Sequence, residues 1–181
     1  MSSDDVGSPQ QLISSYWVDR HYTIAKVGAD WDKFAIENGG EELVSPQIIG
    51  QNLFSYIASD TTRMYLRLIL DHVWHIHHQA NKPYRCDSPE IKRFMQMQIS
   101  IDDENLLRLD HYLLATEPNS PPVHFSGIRS QNSNLIRRCS MCNRINVAFS
   151  WVDADLALKT GLITDPKQRV IYTVCGDCNN P

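Results

Sequence analysis

Hydrophobic and polar positions change period along this chain, and the changes mark out its elements. In "SYWVDRHYTIAKVG" (residues 15–28) Val18, Ile24 and Val27 face one way on two short strands around a turn. "ADWDKFAIENGG" (29–40) reads as a short helix: Asp30 stands at its cap position, Trp31, Phe34 and Ala35 share a face, and Gly39-Gly40 end it. "IIGQNLFSYI" follows, with Gly50 as a turn residue. From residue 60 to 80 the period is helical. Tyr65, Leu68, Ile69, His72, Val73 and Ile76 fall at i, i+3, i+4, i+7, i+8 and i+11, which predicts one apolar face. The period then becomes two. Met95, Met97, Ile99 and Ile101 alternate with Phe94, Gln96, Gln98 and Ser100, "DDEN" makes a turn, and Leu107, Leu109, His111 and Leu113 continue on an antiparallel partner. The segment "PYRCDSP", with Cys86 as a strand residue, leads into this hairpin. The order is two strands, short helices, one long helix and a strand hairpin. It predicts an α+β fold with helices on one face of an antiparallel sheet.

After residue 116 the pattern fades into "EPNSPPVHFSGIRSQNSN", a loop or a last edge strand. A smaller cysteine-bearing segment follows. In it "VIYTV" (170–174) reads as a strand. Ser150 and Asp153 have capping-box spacing before a short helix, with Trp151, Ala154 and Leu158 on its inner stripe and Gly161 at its end. The expected organisation is a flexible N-terminus over 1–14, a first domain over 15–130 and a four-cysteine tail over 131–181.

Composition narrows the function classes. The chain has 181 residues, 42% of them hydrophobic and 21% charged, as in ordinary globular proteins. A net charge of -4 supplies no basic field for phosphates, so nucleic acid is disfavoured as a partner. No apolar run approaches the roughly 20 residues needed to span a bilayer, and "MSSDDVGSPQQ" lacks the charged and apolar regions of a signal peptide. The expected location is the cytoplasm, with no membrane partner. No glycine-rich phosphate loop and no serine, histidine and carboxylate arrangement is visible, and Asp102-Asp103-Glu104 reads as a hairpin tip. The chain is expected not to be an enzyme.

The chemistry concentrates in cysteines. Cys139-Ser-Met-Cys142 and Cys175-Gly-Asp-Cys178 are two Cys-x-x-Cys pairs, and Cys86 stands apart. Each pair can present two thiolates on a tight knuckle, and two knuckles complete the four-sulfur shell of one structural zinc. Residues 143–174 separate the pairs, more than the roughly 15–20 of a simple ribbon, and the predicted helix fills the excess. Asn143 and Asn179 stand where haem attachment needs histidine. A thiol–disulfide catalyst, a redox sensor that releases zinc, and metal-free thiols use the same four residues and remain open. Asp153, Asp155, Asp165 and Asp177 offset Arg137, Arg138 and Arg144 around the first knuckle.

Histidines form the second candidate. In "HVWHIHHQ" His72 alone falls on the predicted apolar face of the long helix, and His111 points inward by alternation. A core role is the ordinary reading of such residues. The functional one is a small-ligand pocket lined by His72 and His111, or haem held by His72.

The residues from "SYWVDRHYTIAKVG" through "DWDKFAIENGG", "IIGQNLFSYIASDTTRMYLRLIL" and "PYRCDSPEIKRFMQMQI" resemble a PAS sensor domain of bacterial proteins. The tail is similar to a cysteine-rich segment that follows PAS or receiver domains in bacterial signalling proteins. Cys139, Ser140, Cys142, Arg144, Ile145, Trp151, Cys175 and Cys178 occupy its pattern. The resemblance implies a cytoplasmic PAS-like sensor or adaptor with a zinc-ribbon-like tail, acting through protein partners and self-association. No kinase, cyclase or receiver domain accompanies it. A redox-responsive zinc regulator and a zinc-ribbon transcriptional regulator that binds nucleic acid are the alternatives.

Overall fold

The computed structural model describes residues 11–127 and 135–179. It is an α+β protein with two five-stranded sheets. In the first, strands β1 (Gln11–Val18), β2 (Ile24–Val27), β3 (Ala80–Arg85), β4 (Ile91–Ile101) and β5 (Leu107–Pro118) lie in the order β2-β1-β5-β4-β3, all antiparallel. Between β2 and β3 come α1 (Trp31–Glu37), the single turn α2 (Ser45–Ile48), a 3₁₀ turn at Leu53–Tyr56 and the long helix α3 (Asp60–Ile76). The alternation read in β4 and β5 is present: Met95, Met97, Ile99, Leu107 and Leu109 are buried. Met97, Ile99, Leu107 and Leu109 form one core with Leu66, Ile69, Leu70 and Val73 of α3 and with Tyr16 and Val18 of β1, whereas Met95, beside a bulge in β4, lies outside it.

Several local expectations are corrected. Strand β1 starts at Gln11, so residues 11–14 of the stretch expected to be flexible are in the sheet; residues 1–10 lie outside the described residues. Asp30 occupies the cap position of α1 without a side-chain cap bond. Asp32 is the tethering carboxylate there, accepting bonds from the Ser45 N–H at 2.6 Å and hydroxyl at 2.8 Å. Helix α3 is capped by Ser59 and stops at Ile76, where His77 adopts φ +54 as its left-handed C-cap. The residues after it form β3, a strand that the helical reading ran into.

The buried face of α3 is also rotated from the predicted one. Leu66, Ile69, Leu70, Val73 and Trp74 face the core, whereas Leu68 is 67% exposed and His72 is exposed. Two apolar stripes overlap on this helix, sharing Ile69 and Val73. The flanking residues Leu66, Leu70 and Trp74 bury more apolar surface than Tyr65, Leu68 and His72, and that decides which stripe faces the sheet.

The second sheet holds β6 (His124–Gly127), β7 (Ile136–Cys139), β8 (Ile145–Val147), β9 (Ser150–Val152) and β10 (Lys167–Thr173) in the order β6-β10-β7-β8-β9. Its centre is parallel, β6 with β10 and β10 with β7, and the β7-β8-β9 side is antiparallel. This is a larger unit than the expected ribbon, and β6, ahead of the boundary expected at residue 131, belongs to it. Helix α4 (Ala154–Lys159) covers a small core of Val123, Ile145, Ala154, Ala157 and Ile163. The capping box is not formed. Ser150 and Trp151 are strand residues, and Asp153 turns its carboxylate to Arg85 instead.

The two sheets are joined by charges that taper into burial. Arg85 pairs with Asp87 and Asp153, and Lys92 reaches Asp155 at 2.8 Å with both side chains about nine-tenths buried. Asp153 and Asp155 therefore serve the junction rather than offsetting the arginines of the first knuckle. Desolvation would raise the Asp155 pKa, but the Lys92 ammonium holds it below the usual carboxylate range.

Leu70→Ala should cost about 2–5 kcal/mol and Leu68→Ala less than about 0.5 kcal/mol, read from denaturant unfolding. Asp155→Asn should destabilise at neutral pH, by up to about 3–5 kcal/mol, because it leaves the buried Lys92 ammonium only a longer contact with Asp153 at 3.9 Å. A depressed folded-state pKa stabilises above the unfolded value and is lost as pH falls through the folded one. The wild-type advantage over Asp155→Asn in melting temperature should therefore shrink on acidification below about pH 4.

Candidate metal centre

Two adjacent strands deliver the cysteines. Cys139 ends β7 and pairs in register with Thr173 of the parallel strand β10, so both strands finish at the same end of the sheet. Parallel neighbours whose C-terminal ends coincide bring their following turns together. After β7 the turn is closed by the Asn143 N–H donating to the Cys139 carbonyl at 3.0 Å and the Cys139 N–H donating to the Arg144 carbonyl at 2.9 Å. Asn143, whose identity argued against haem attachment, has φ +59, a left-handed conformation that asparagine tolerates better than most residues. After β10, Cys175 leads into the single turn α5 (Gly176–Asn179), which carries Cys178. The Ser140 N–H donates to the Thr173 carbonyl at 2.7 Å, and Arg144 lies 3.6 Å from Asp177, so the two knuckles are also tied to each other.

The four Sγ atoms of Cys139, Cys142, Cys175 and Cys178 all lie within 4.8 Å of one another. Cys142 and Cys175 are 3.8 Å apart, and none of the four is in a disulfide. A tetrahedral ion with metal–sulfur bonds of about 2.3 Å separates its ligands by about 3.8 Å. The cluster needs only sub-ångström to one-ångström adjustments to reach that shape. Cys139 and Cys175 are buried, and Tyr65, Tyr84, Trp151 and Val174 pack around the group. Backbone N–H groups of Met141 and Cys175 point at Cys139 Sγ from 3.4 Å. With the Cys142 thiol as the main donor, they pull the Cys139 thiol down to about 4. Holding that bond pushes Cys142 up, and burial pushes Cys178 up to about 12. The set could hold one metal ion, such as zinc, which would meet one thiolate already formed and displace protons from the raised thiols.

The histidine candidates are not brought together. His72 lies on the outer side of α3, in a groove of about 460 Å³ with Tyr65, Leu68 and Ile76, and His111 is not among its lining residues. The rotation of α3 described above is the reason. His111 is inward, as expected. Its Nδ1 is 2.8 Å from the Tyr84 hydroxyl, its ring stacks on Tyr16 at 5.5 Å, and burial lowers its pKa to about 4. Its Nε2 is buried with no hydrogen-bond partner among the described residues. Cys86 is exposed just beyond β3, lining a cleft of about 450 Å³ with Phe34 and Met95. Sequence reasoning missed Tyr84 and Arg85 as neighbours of the cysteines. Their signal lay in "PYRC" following the helix, which marks a strand but not what it touches.

Taken together, these elements define an α+β protein with two sheets and a four-cysteine cluster suited to one metal ion. Comparison with known proteins finds no family model and no curated relative that matches the chain. Among the described residues, no helix is long and apolar enough to cross a membrane.

Binding a metal as four thiolates must remove the protons that the set still holds, so affinity should rise with pH, by about tenfold per unit for each proton released. Chelator competition at several pH values measures this slope.

Proposed function

We propose that the chain is a non-enzymatic, cytoplasmic PAS-like sensor or adaptor of bacterial signal transduction, whose four-cysteine cluster binds one structural zinc and which acts through protein contacts. The observation that carries the zinc reading is the all-sulfur set within 4.8 Å at the matched ends of β7 and β10. A shell of four thiolates is the chemistry of closed, structural zinc sites, with no position left for a reacting water. The PAS-like reading is supported by the order of elements: two strands, short helices, a long helix, then three more strands, all five in one antiparallel sheet ordered β2-β1-β5-β4-β3.

A second reading, a redox-responsive regulator, draws on the low pKa of Cys139, since thiolates are the reactive form. Against it, Cys139 and Cys175 are 0% and 1% exposed, which restricts access by oxidants. Purified, reduced protein should contain one zinc per chain, and Cys142→Ser should lose it. Retention of that zinc through mild peroxide would support the structural reading, and its stoichiometric release would support the redox one. Zinc missing from freshly reduced protein would overturn both.

A further inference from the structure

We propose that the metal centre is mechanically coupled to the first sheet through Arg85 and Tyr84, so that release of the metal frees the end of β3 and disturbs the Tyr84–His111 contact inside that sheet. This rests on the metal-binding reading above and assigns the site a regulatory reach.

Two contacts make the connection. The first is backbone. Strand β3 is an edge strand, and at its last residue the first knuckle takes both main-chain groups. The Arg85 N–H donates to the Met141 carbonyl at 2.6 Å, and the Arg85 carbonyl accepts from Asn143 Nδ2 at 3.1 Å. Met141 lies between Cys139 and Cys142, and Asn143 follows Cys142 directly, so both acceptor and donor are set by the knuckle's shape. The second contact is through a side chain. Tyr84 packs against the cysteines while its hydroxyl meets His111 Nδ1 at 2.8 Å. His111 stacks in turn on buried Tyr16 of β1, and its orphaned Nε2 gives it no second polar anchor. One aromatic residue thus spans from the sulfur cluster to the middle of the sheet.

The two-state element is the knuckle itself. With metal, two Cys142 neighbours are locked in place; without it, the turn keeps only its few backbone bonds, and metallo-knuckles order on binding. Other ties do not pass through the cysteines. Lys92–Asp155 and the pairing of Arg85 with Asp87 and Asp153 involve no cysteine and are expected to persist when metal leaves. The disturbance is therefore local to the end of β3 and the Tyr84–His111 pair, while the charged junction continues to hold α4 to the first sheet.

The test is NMR on the full chain, zinc-loaded and after chelation under reducing conditions, with zinc stoichiometry measured alongside. Expected are a rise of about tenfold or more in hydrogen exchange at the Arg85 amide and a changed His111 ring resonance, with α4 amides little altered. Two variants keep the experiment decisive if the metal-free chain unfolds. Asn143→Gly, which suits the positive φ, should speed Arg85 exchange in zinc-loaded protein without lowering stoichiometry. Tyr84→Phe should shift the His111 ring resonance at full zinc content and abolish its response to chelation. One zinc bound with Arg85 exchange and the His111 ring indifferent to its removal, or to these variants, overturns the coupling and leaves the metal site standing. No zinc bound overturns both.

Discussion

The parallel pairing of β10 with β7 is the constraint on which the rest of the C-terminal half depends. Two cysteine pairs far apart in sequence can share an ion only if something fixes both turns to a few ångströms. Here that something is backbone register: Thr173 opposite Cys139, and the Ser140 N–H on the Thr173 carbonyl. The same strand supplies the partner of β6, so one segment organises the sheet and half of the cluster. A short unit with a core of five small and medium side chains gains from such a cross-link, because it buries too little apolar surface to be robust unaided.

The joint between the sheets is polar where the sheets themselves are apolar. Arg85, Lys92, Asp87, Asp153 and Asp155 are gathered there, each within 4 Å of an opposite charge. Buried pairs of this kind add little net stability over an apolar contact, but they punish any arrangement that separates them. Such a joint favours one relative placement of the two sheets. Hydroxyl contacts from α3, Ser59 to the Tyr172 carbonyl at 2.9 Å and Thr62 to Ser140 at 2.7 Å, act in the same sense.

What could be read in advance followed the range of the interaction involved. Alternation in β4 and β5 is a local signal with a single solution, and it placed Met97, Ile99, Leu107 and Leu109 correctly. The four cysteines were legible because their chemistry and their spacing point the same way. The face of α3 was not, since Leu66 and Leu68 are equally apolar and only the partner surface chooses between them. His72 was misplaced for the same reason. The pairing of Asp153 and Asp155 with Arg85 and Lys92 spans more than sixty positions and leaves no periodic trace. The start of strand β3 was hidden because "ANKPYR" follows the helix after only three residues and contains a proline, which an edge strand accommodates and a central one would not.

The position of β10 also has a consequence during synthesis. A ribosome delivers β1 to β5 together, and that sheet has all its strands before any cysteine pair has emerged. Strand β6 then waits without its neighbour through β7, β8, β9 and α4, because the strand that flanks it is β10. The nascent second sheet is a three-stranded antiparallel meander beside a solitary strand, with one cysteine pair and no second. Completion is a single late event in which β10 enters between strands already made and brings the remaining thiols with it. The metal-binding set and the sheet are therefore finished together, after the first sheet has already had the chance to fold.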